Sequence, residues 1–132
     1  MELERIDHVG LNVRDLDASA DFYSRVFGFG IVHKWTTTWM VGTGAIRLGL
    51  FQRPTSSPVC NIDNAIALTH LALRTDATGF EAAKRELREL GIAFDNPEDT
   101  GIAYSVFVLD PDGHQIEITT YDRQSSGAPG GA

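Results

Sequence analysis

The chain has 132 residues, of which 42% are hydrophobic, and it carries a net charge of −7 with a pI near 4.9. This length fits one domain of ordinary size, or two small halves on a common core. The eleven Lys and Arg residues are scattered, which excludes a phosphate-binding surface for nucleic acid. Without an apolar run of membrane-spanning length, a secretory leader or a second cysteine to pair with Cys60, we expect a cytoplasmic protein.

The first predicted strand is "IDHVGLNV", residues 6–13, because apolar residues alternate there with polar or small ones. His8 shares one face of this strand with Gly10 and Asn12 and with no charged residue. A strand histidine is either a satisfied core residue or a ligand, and the strand alone does not distinguish the two readings.

A second segment, "LTHLALRT" at residues 68–75, repeats the first strand position for position. His70 corresponds in it to His8. Because the segments that follow the two strands also correspond, the chain is predicted to contain two copies of one unit.

An amphipathic helix is predicted after each of these strands, since apolar residues recur there at a spacing of three to four. Their expected N-caps are Asp15 or Asp17 for the first helix, and Asp76 or Thr78 for the second. Gly28 and Gly91 fit the position just past each helix, where a left-handed backbone is needed.

Three short strands are predicted after each helix: "GIVHKW", "TTWMVG" and "AIRLGLFQ" in the first half, and "IAFDN", "YSVFVLD" and "HQIEITTY" in the second. We therefore expect an α+β protein with one domain at residues 1–121, made of two βαβββ units at residues 1–52 and 67–121. Residues 53–66 are predicted to be a linker and residues 122–132 a flexible tail.

This doubled unit, with "DHVGLNV", "THLALRT" and "DPDGHQIEI", resembles the vicinal oxygen chelate superfamily, which includes glyoxalase I, extradiol dioxygenases, and the fosfomycin and bleomycin resistance proteins. The resemblance extends to about Tyr121. It implies an open, curved mixed sheet, a homodimer as in many relatives, and a divalent metal held by His8, His70 and Glu117. Two imidazoles and a carboxylate suit iron, manganese, zinc or nickel.

Departures from the superfamily pattern narrow the chemistry. The fourth ligand of glyoxalase I-like members is expected at Leu48, or at Arg47 if the register slips by one, and neither is a carboxylate. Phe107 stands where ring-cleaving dioxygenases and fosfomycin resistance proteins carry a tyrosine. The loop "NPEDTGIAYS" is acidic, whereas fosfomycin resistance proteins have a cationic loop there.

Other side chains are candidates for binding a substrate, although such residues more often belong to a core or a dimer interface or extend into solvent. They are Trp35, Trp39, Arg47, Phe51, Tyr104 and Tyr121. His33 is the spare acid–base candidate, and the catalytic base is otherwise unassigned.

Two classes of function remain open from the sequence. The leading one is a metal-dependent lyase, isomerase or dioxygenase-like enzyme, whose small substrate chelates the metal through adjacent oxygen atoms. The alternative is a non-enzymatic protein that binds a drug or natural product, as bleomycin resistance proteins do. A third possibility is a fold that keeps its ligands without turnover.

Overall fold

The computed structural model describes residues 1–95 and 98–123. The chain divides into two compact units whose boundary falls between Pro58 and Val59, within the stretch predicted as a linker. Of the predicted tail, residues 124–132 lie outside the described residues. Neither helix in the described part of the chain is long and apolar enough to cross a membrane.

The first unit contains a four-stranded sheet and one helix. Its elements are β1 (Val9–Val13), α1 (Leu16–Phe27), β2 (Gly30–Lys34), β3 (Thr38–Thr43) and β4 (Ile46–Gln52). The strand order is β1-β4-β3-β2, with β1 parallel to β4 and the other neighbours antiparallel.

The second unit repeats this topology. After a short 3₁₀ turn, its elements are β5 (Leu71–Arg74), α2 (Ala77–Glu89), β6 (Glu98–Asp99), β7 (Tyr104–Leu109) and β8 (Gln115–Thr120). The order β5-β8-β7-β6 and the parallel β5–β8 pair match the first unit strand for strand. The predicted α+β class and the two βαβββ units are confirmed.

Both helices begin and end with the residues that the sequence pattern indicated. The Asp15 carboxylate accepts a hydrogen bond from the Ala18 amide at 3.1 Å, and that of Asp76 accepts one from the Gly79 amide at 2.8 Å. These contacts satisfy amide groups that have no partner inside the helix. Gly28 ends α1 with a φ of 71°, a left-handed conformation that glycine adopts without strain.

Each helix buries one face of its sheet. In the first unit the core contains Tyr23, whose ring packs against those of Phe22, Phe27 and Phe29, and beneath the helix lie Val13, Val41, Leu48 and Leu50. In the second unit the equivalent core consists of Phe80, Leu87, Val106, Val108 and Ile116. Apolar burial on one face of each sheet leaves the opposite face for other roles.

One predicted strand is wrong. Residues 92–95 of "IAFDN" form no strand, and Asn96 lies outside the described residues. The partner of β7 is instead the short β6, which pairs Glu98 with Ser105 and Asp99 with Tyr104. The alternating apolar residues Ile92 and Phe94 are half-buried, so they pack their side chains without joining a ladder.

Helix α2 also buries a lysine. Lys84 is 2% exposed, and its Nζ lies 2.9 Å from Oε1 of Glu81 and 5.1 Å from the centre of the Phe80 ring. The contact with Glu81 is an ion pair without the geometry of a well-directed hydrogen bond. Desolvating an ammonium group is costly, and one such pair offsets that cost incompletely.

We therefore expect Lys84→Met to leave the free energy of unfolding unchanged or to raise it by about 1–2 kcal/mol, because Met fills similar volume without a charge. Glu81→Gln should instead lower it by about 1–3 kcal/mol, since the lysine then stays buried without its carboxylate. Urea denaturation of both variants checks the pair. A Lys84→Met variant less stable than Glu81→Gln would contradict this account.

Candidate metal centre

In each unit the sheet face that the helix does not cover, here called the helix-free face, carries the predicted ligands. The strand register decides which residues lie on it. In the first unit Gly10 pairs with Gly49, and Asn12 pairs with Phe51, on the face opposite to the buried Leu48 and Leu50. In the second unit Ala72, Phe107 and Glu117 are neighbours on the equivalent face.

His8 lies immediately before β1 and beside Gly49, because a Cβ atom built on that glycine would be 3.6 Å from the His8 ring. Its Nδ1 lies 2.8 Å from a carboxylate oxygen of Asp7. A carboxylate accepts but does not donate, so Nδ1 is the donor in this contact, and in the neutral imidazole Nε2 is then the nitrogen with the lone pair. This hydrogen bond also holds the pKa of Asp7 below its usual value. Neutral His8 would therefore offer Nε2 to a metal.

His70 and Glu117 form a contact in the second unit. His70 lies immediately before β5, and its Nε2 is 3.0 Å from Oε1 of Glu117. The other ring nitrogen of His70 is 2.9 Å from the hydroxyl of Thr69, and the ring packs edge-on against Phe107. The Glu117 side chain is 14% exposed, so its charge is largely withdrawn from water.

The pair has the chemistry and the spacing of two ligands of one metal ion. Metal–ligand bonds of about 2.0–2.2 Å that meet near a right angle place the two ligand atoms about 3 Å apart. The 3.0 Å separation of Nε2 and Oε1 agrees with this spacing, and equally with a hydrogen bond from Nε2 to the carboxylate, whose proton a bound metal would replace. Each imidazole has a neighbouring side chain on its second nitrogen, which is the usual arrangement around a bound metal.

Two of the three predicted ligands are in contact. His70 and Glu117 meet, whereas no three His, Cys, Asp or Glu side chains among the described residues come together in a group that could hold a metal ion.

The counterpart of Glu117 in the first unit is Gly49. The parallel pairs that align the two units are Val9 with Leu48 and Leu71 with Ile116. The next residue along is Gly49 in one unit and Glu117 in the other. The predicted equivalence with Leu48 or Arg47 is wrong, and Leu48 is buried beneath α1. A carboxylate is absent at this position in either reading.

The Phe51 ring occupies the space above this glycine. A Cβ atom at Gly49 would lie 3.2 Å from Cε2 of Phe51, and one at Gly10 would lie 3.0 Å from the same atom. Both distances are tight for carbon atoms, so the two glycines allow the ring to lie close against the sheet beside His8. The Phe51 ring therefore lies where glyoxalase I-like members are expected to carry the carboxylate of the fourth ligand.

The other first-unit candidates divide between the two faces. Trp35 is half-exposed, and its ring packs against His33 with centres 4.4 Å apart. Trp39 pairs with Leu50 on the helix-covered face, where Lys34 lies 4.0 Å from its ring centre. Trp39 and Phe51 therefore lie on opposite faces of the sheet, and a role of Trp39 in substrate binding stays a prediction. Arg47 pairs with Gly42 and is exposed.

His33 lies far from His8 along the sheet. It belongs to β2, which is separated from β1 by β4 and β3. Three strand spacings of about 4.8 Å amount to about 14 Å. The first unit therefore gives His33 no direct contact with a group bound at His8, and its acid–base role stays a prediction.

The second-unit candidates also differ in position. Tyr104 pairs with Thr120, is 9% exposed and belongs to the core, with Arg123 5.2 Å from its ring centre. Its role in substrate binding stays a prediction. Tyr121 is half-exposed, with Arg74 4.5 Å from its ring centre, and so remains accessible.

Arg123 holds the acidic loop before β7 in place. The Asp99 carboxylate accepts hydrogen bonds from the Gly101 amide and from Arg123, which lower its pKa. Arg123 also donates to the Gly101 carbonyl. Its guanidinium is thereby committed to the loop. Asn96 and Pro97 of this loop lie outside the described residues.

Ser105 contacts Glu117, although it is not among the functional residues that the sequence predicts. It is fully buried, and its hydroxyl donates to Oε2 of Glu117 at 2.8 Å. The sequence did contain a signal for Ser105, because it is a serine within the largely apolar strand "YSVFVL". Side chains alternate along a strand, so Ser105 lies on the same face as Phe107.

Two βαβββ units with a histidine–glutamate contact on the helix-free face define a protein of the glyoxalase-like class. The profile of the Glyoxalase/Bleomycin resistance protein/Dioxygenase superfamily matches residues 5–118, so the chain belongs to that superfamily.

Individual relatives agree with this assignment. The metallothiol transferase FosB of Staphylococcus epidermidis is 29% identical over 91% of this chain and 84% of its own length. The lactoylglutathione lyase structure from Agrobacterium tumefaciens has a TM-score of 0.69 at 26% identity, over 91% of this chain and 96% of that one. A glyoxalase/dioxygenase structure from Nostoc punctiforme has a TM-score of 0.76 at 27% identity, over 90% and 92%.

Proposed function

We propose that the protein is a metal-dependent enzyme in which His8, His70 and Glu117 bind one divalent ion of iron, manganese, zinc or nickel. The observation that carries the proposal is the 3.0 Å contact between Nε2 of His70 and Oε1 of Glu117, made by a carboxylate that is largely buried. Burying a carboxylate is costly unless it is paired, and a cation is its most effective partner.

The substrate is a small molecule that chelates the metal through two adjacent oxygen atoms. The ion supplies Lewis-acid polarisation of those oxygens when bound. Asp7 and Thr69 orient the two imidazoles, and Phe51 gives the substrate an apolar wall beside His8. A substrate with a flat or apolar group next to its chelating oxygens fits this wall.

Addition of a thiol across a polarised carbon–oxygen bond of the substrate, with sulfur bonding to carbon and the proton passing to oxygen, fits the residues better than isomerisation by two opposed carboxylates. Gly49 stands where the second carboxylate would be needed, and Phe51 covers it. One relative, FosB, is named a metallothiol transferase, which favours thiol addition over isomerisation in this proposal. A phosphonate substrate is disfavoured, because Arg123 is engaged with Asp99 and Gly101.

A homodimer is part of this proposal, with one substrate site for each pair of His70 and Glu117, and so two sites for each dimer. His70 and Glu117 come from one unit, and His8 comes either from the same chain or from a second copy. Mixing a His8→Ala chain with a Glu117→Ala chain distinguishes the two sources. Metal binding restored in the mixture requires sites shared between copies.

The second candidate is a binding protein without catalysis, which the aromatic surface of Phe51 and the half-exposed Trp35 favours. Cobalt-loaded protein and acetohydroxamate, a ligand with two adjacent oxygens, separate the candidates. We expect acetohydroxamate to change the visible spectrum of the cobalt protein, acetate at equal concentration to change it little, and apoprotein to bind neither. Equal binding by the apoprotein would overturn the metal-dependent function and support sequestration.

A further inference from the structure

The hydroxyl of Ser105 lies at the centre of a small polar cluster on the helix-free face of the second unit. Ser105 on β7 pairs with Thr119 on β8, and both are buried. Its Oγ is 2.8 Å from Oε2 of Glu117 and 3.0 Å from Oγ1 of Thr119. Thr119 is in turn 3.2 Å from the carbonyl oxygen of Tyr104.

The number of available protons fixes the direction of the first hydrogen bond. A carboxylate only accepts, so the one hydroxyl proton of Ser105 points to Glu117. Thr119 has one hydroxyl proton, which it donates to the carbonyl oxygen of Tyr104 at 3.2 Å, because a carbonyl also only accepts. The Ser105 and Thr119 oxygens remain neighbours at 3.0 Å.

The two oxygen atoms of Glu117 consequently have different partners. Oε1 faces His70, and Oε2 faces Ser105. The neighbours across the strands, Ala72 and Phe107, carry no side-chain donor. Among the described residues, the Ser105 hydroxyl is the group that donates a hydrogen bond to Oε2. Rotation of the Glu117 carboxylate would break this hydrogen bond.

We propose that Ser105 is a positioning residue that reserves Oε2 and makes Glu117 a one-oxygen ligand through Oε1. The inference rests on the proposed metal site and adds how that site is shaped. A ligand that occupies one coordination position leaves room for a substrate with two adjacent oxygens. A carboxylate bound through both oxygens would take one of those places.

The test compares the divalent-metal affinity of wild-type protein, Ser105→Ala and Ser105→Thr by competition with a chromophoric chelator. Loss of the hydroxyl is expected to weaken binding by about 10–100-fold, and threonine, which keeps a hydroxyl, should stay within about threefold of wild type. Thermal unfolding of the metal-free proteins checks the fold. If Ser105→Ala does not fold, Ser105→Cys, with a weaker donor of similar size, replaces it.

Infrared spectroscopy supplies a readout that a purely structural role would not move. The gap between the antisymmetric and symmetric carboxylate stretches is wide for one-oxygen binding and narrow for two-oxygen binding. We expect a wide gap in the metal-loaded wild type and in Ser105→Thr, and a narrower one in Ser105→Ala. Wild-type affinity and an unchanged gap in Ser105→Ala would overturn the role of Ser105 alone. A wild type that binds no metal would overturn the proposed function and this inference together.

Discussion

His70→Ala is expected to weaken divalent-metal binding by more than the 10–100-fold that loss of an outer-shell partner costs, because it removes a ligand itself. It also leaves the buried Glu117 with Ser105 as its remaining described partner. Two donors, Glu117 and His8, would then have to hold the ion. Chelator competition on the purified variant gives the dissociation constant.

His114→Ala is the matched control for this prediction. His114 follows the turn of Asp110 and Gly113, and the substitution keeps the two hydrogen bonds that the backbone amide and carbonyl of His114 make with Asp110. We expect its metal affinity to equal that of wild type. Equal losses in His70→Ala and His114→Ala would show that histidine content, and not the proposed site, governs binding.

Gly42→Ala is expected to give the largest loss of stability among substitutions that avoid the metal site. A Cβ atom at Gly42 would lie 2.1 Å from the carbonyl oxygen of Ile46 and 3.1 Å from Cα of Arg47. Both neighbours are backbone atoms of β4, so the β3–β4 pair would have to separate. We expect the free energy of unfolding to fall by about 3 kcal/mol, measured by urea denaturation.

Gly30→Ala serves as its control, because a Cβ atom there has no heavy atom within 4 Å and Gly30 lies on the edge strand β2. This variant should stay within about 0.5 kcal/mol of wild type. Equal effects of the two substitutions would mean that loss of glycine flexibility, and not the close approach to β4, decides the outcome.

Local signals predicted most of the fold. The alternation around His8 and His70, the caps Asp15 and Asp76 and the glycines after the helices are short-range features, and each lies where the structure has its element. The exception is "IAFDN", which has an alternating pattern but does not pair with β7. Glu98 and Asp99 pair with β7 instead. Pairing between strands is a tertiary choice that periodicity does not contain.

The site was predictable in its residue types but not in its register. His70 and Glu117 were chosen by resemblance, and the structure places them 3.0 Å apart. The equivalence of Gly49 with Glu117 depends on how a parallel strand pairs with a strand far along the chain. A shift of one residue exchanges the two faces of a strand, so Leu48 and Gly49 differ completely in role.

Outer contacts of the site were the least predictable feature. Ser105 is twelve residues from Glu117, and their contact exists because β7 and β8 pair in one register. The same register places Tyr104 in the core, although a tyrosine near a metal site is an attractive candidate by type alone. Residue type limits the chemistry that is available, whereas pairing decides which side chains can use it.

The central claim is that His8, His70 and Glu117 bind one divalent ion, and elemental analysis of protein purified without a histidine tag tests it most directly. Wild type and the His8→Ala/Glu117→Ala double variant are measured side by side, each as isolated and after soaking with iron, manganese, zinc or nickel and removal of unbound metal. We predict close to one ion per chain in the wild type and none retained in the variant. Metal-free wild type under every condition, or equal metal in both proteins, would contradict the claim.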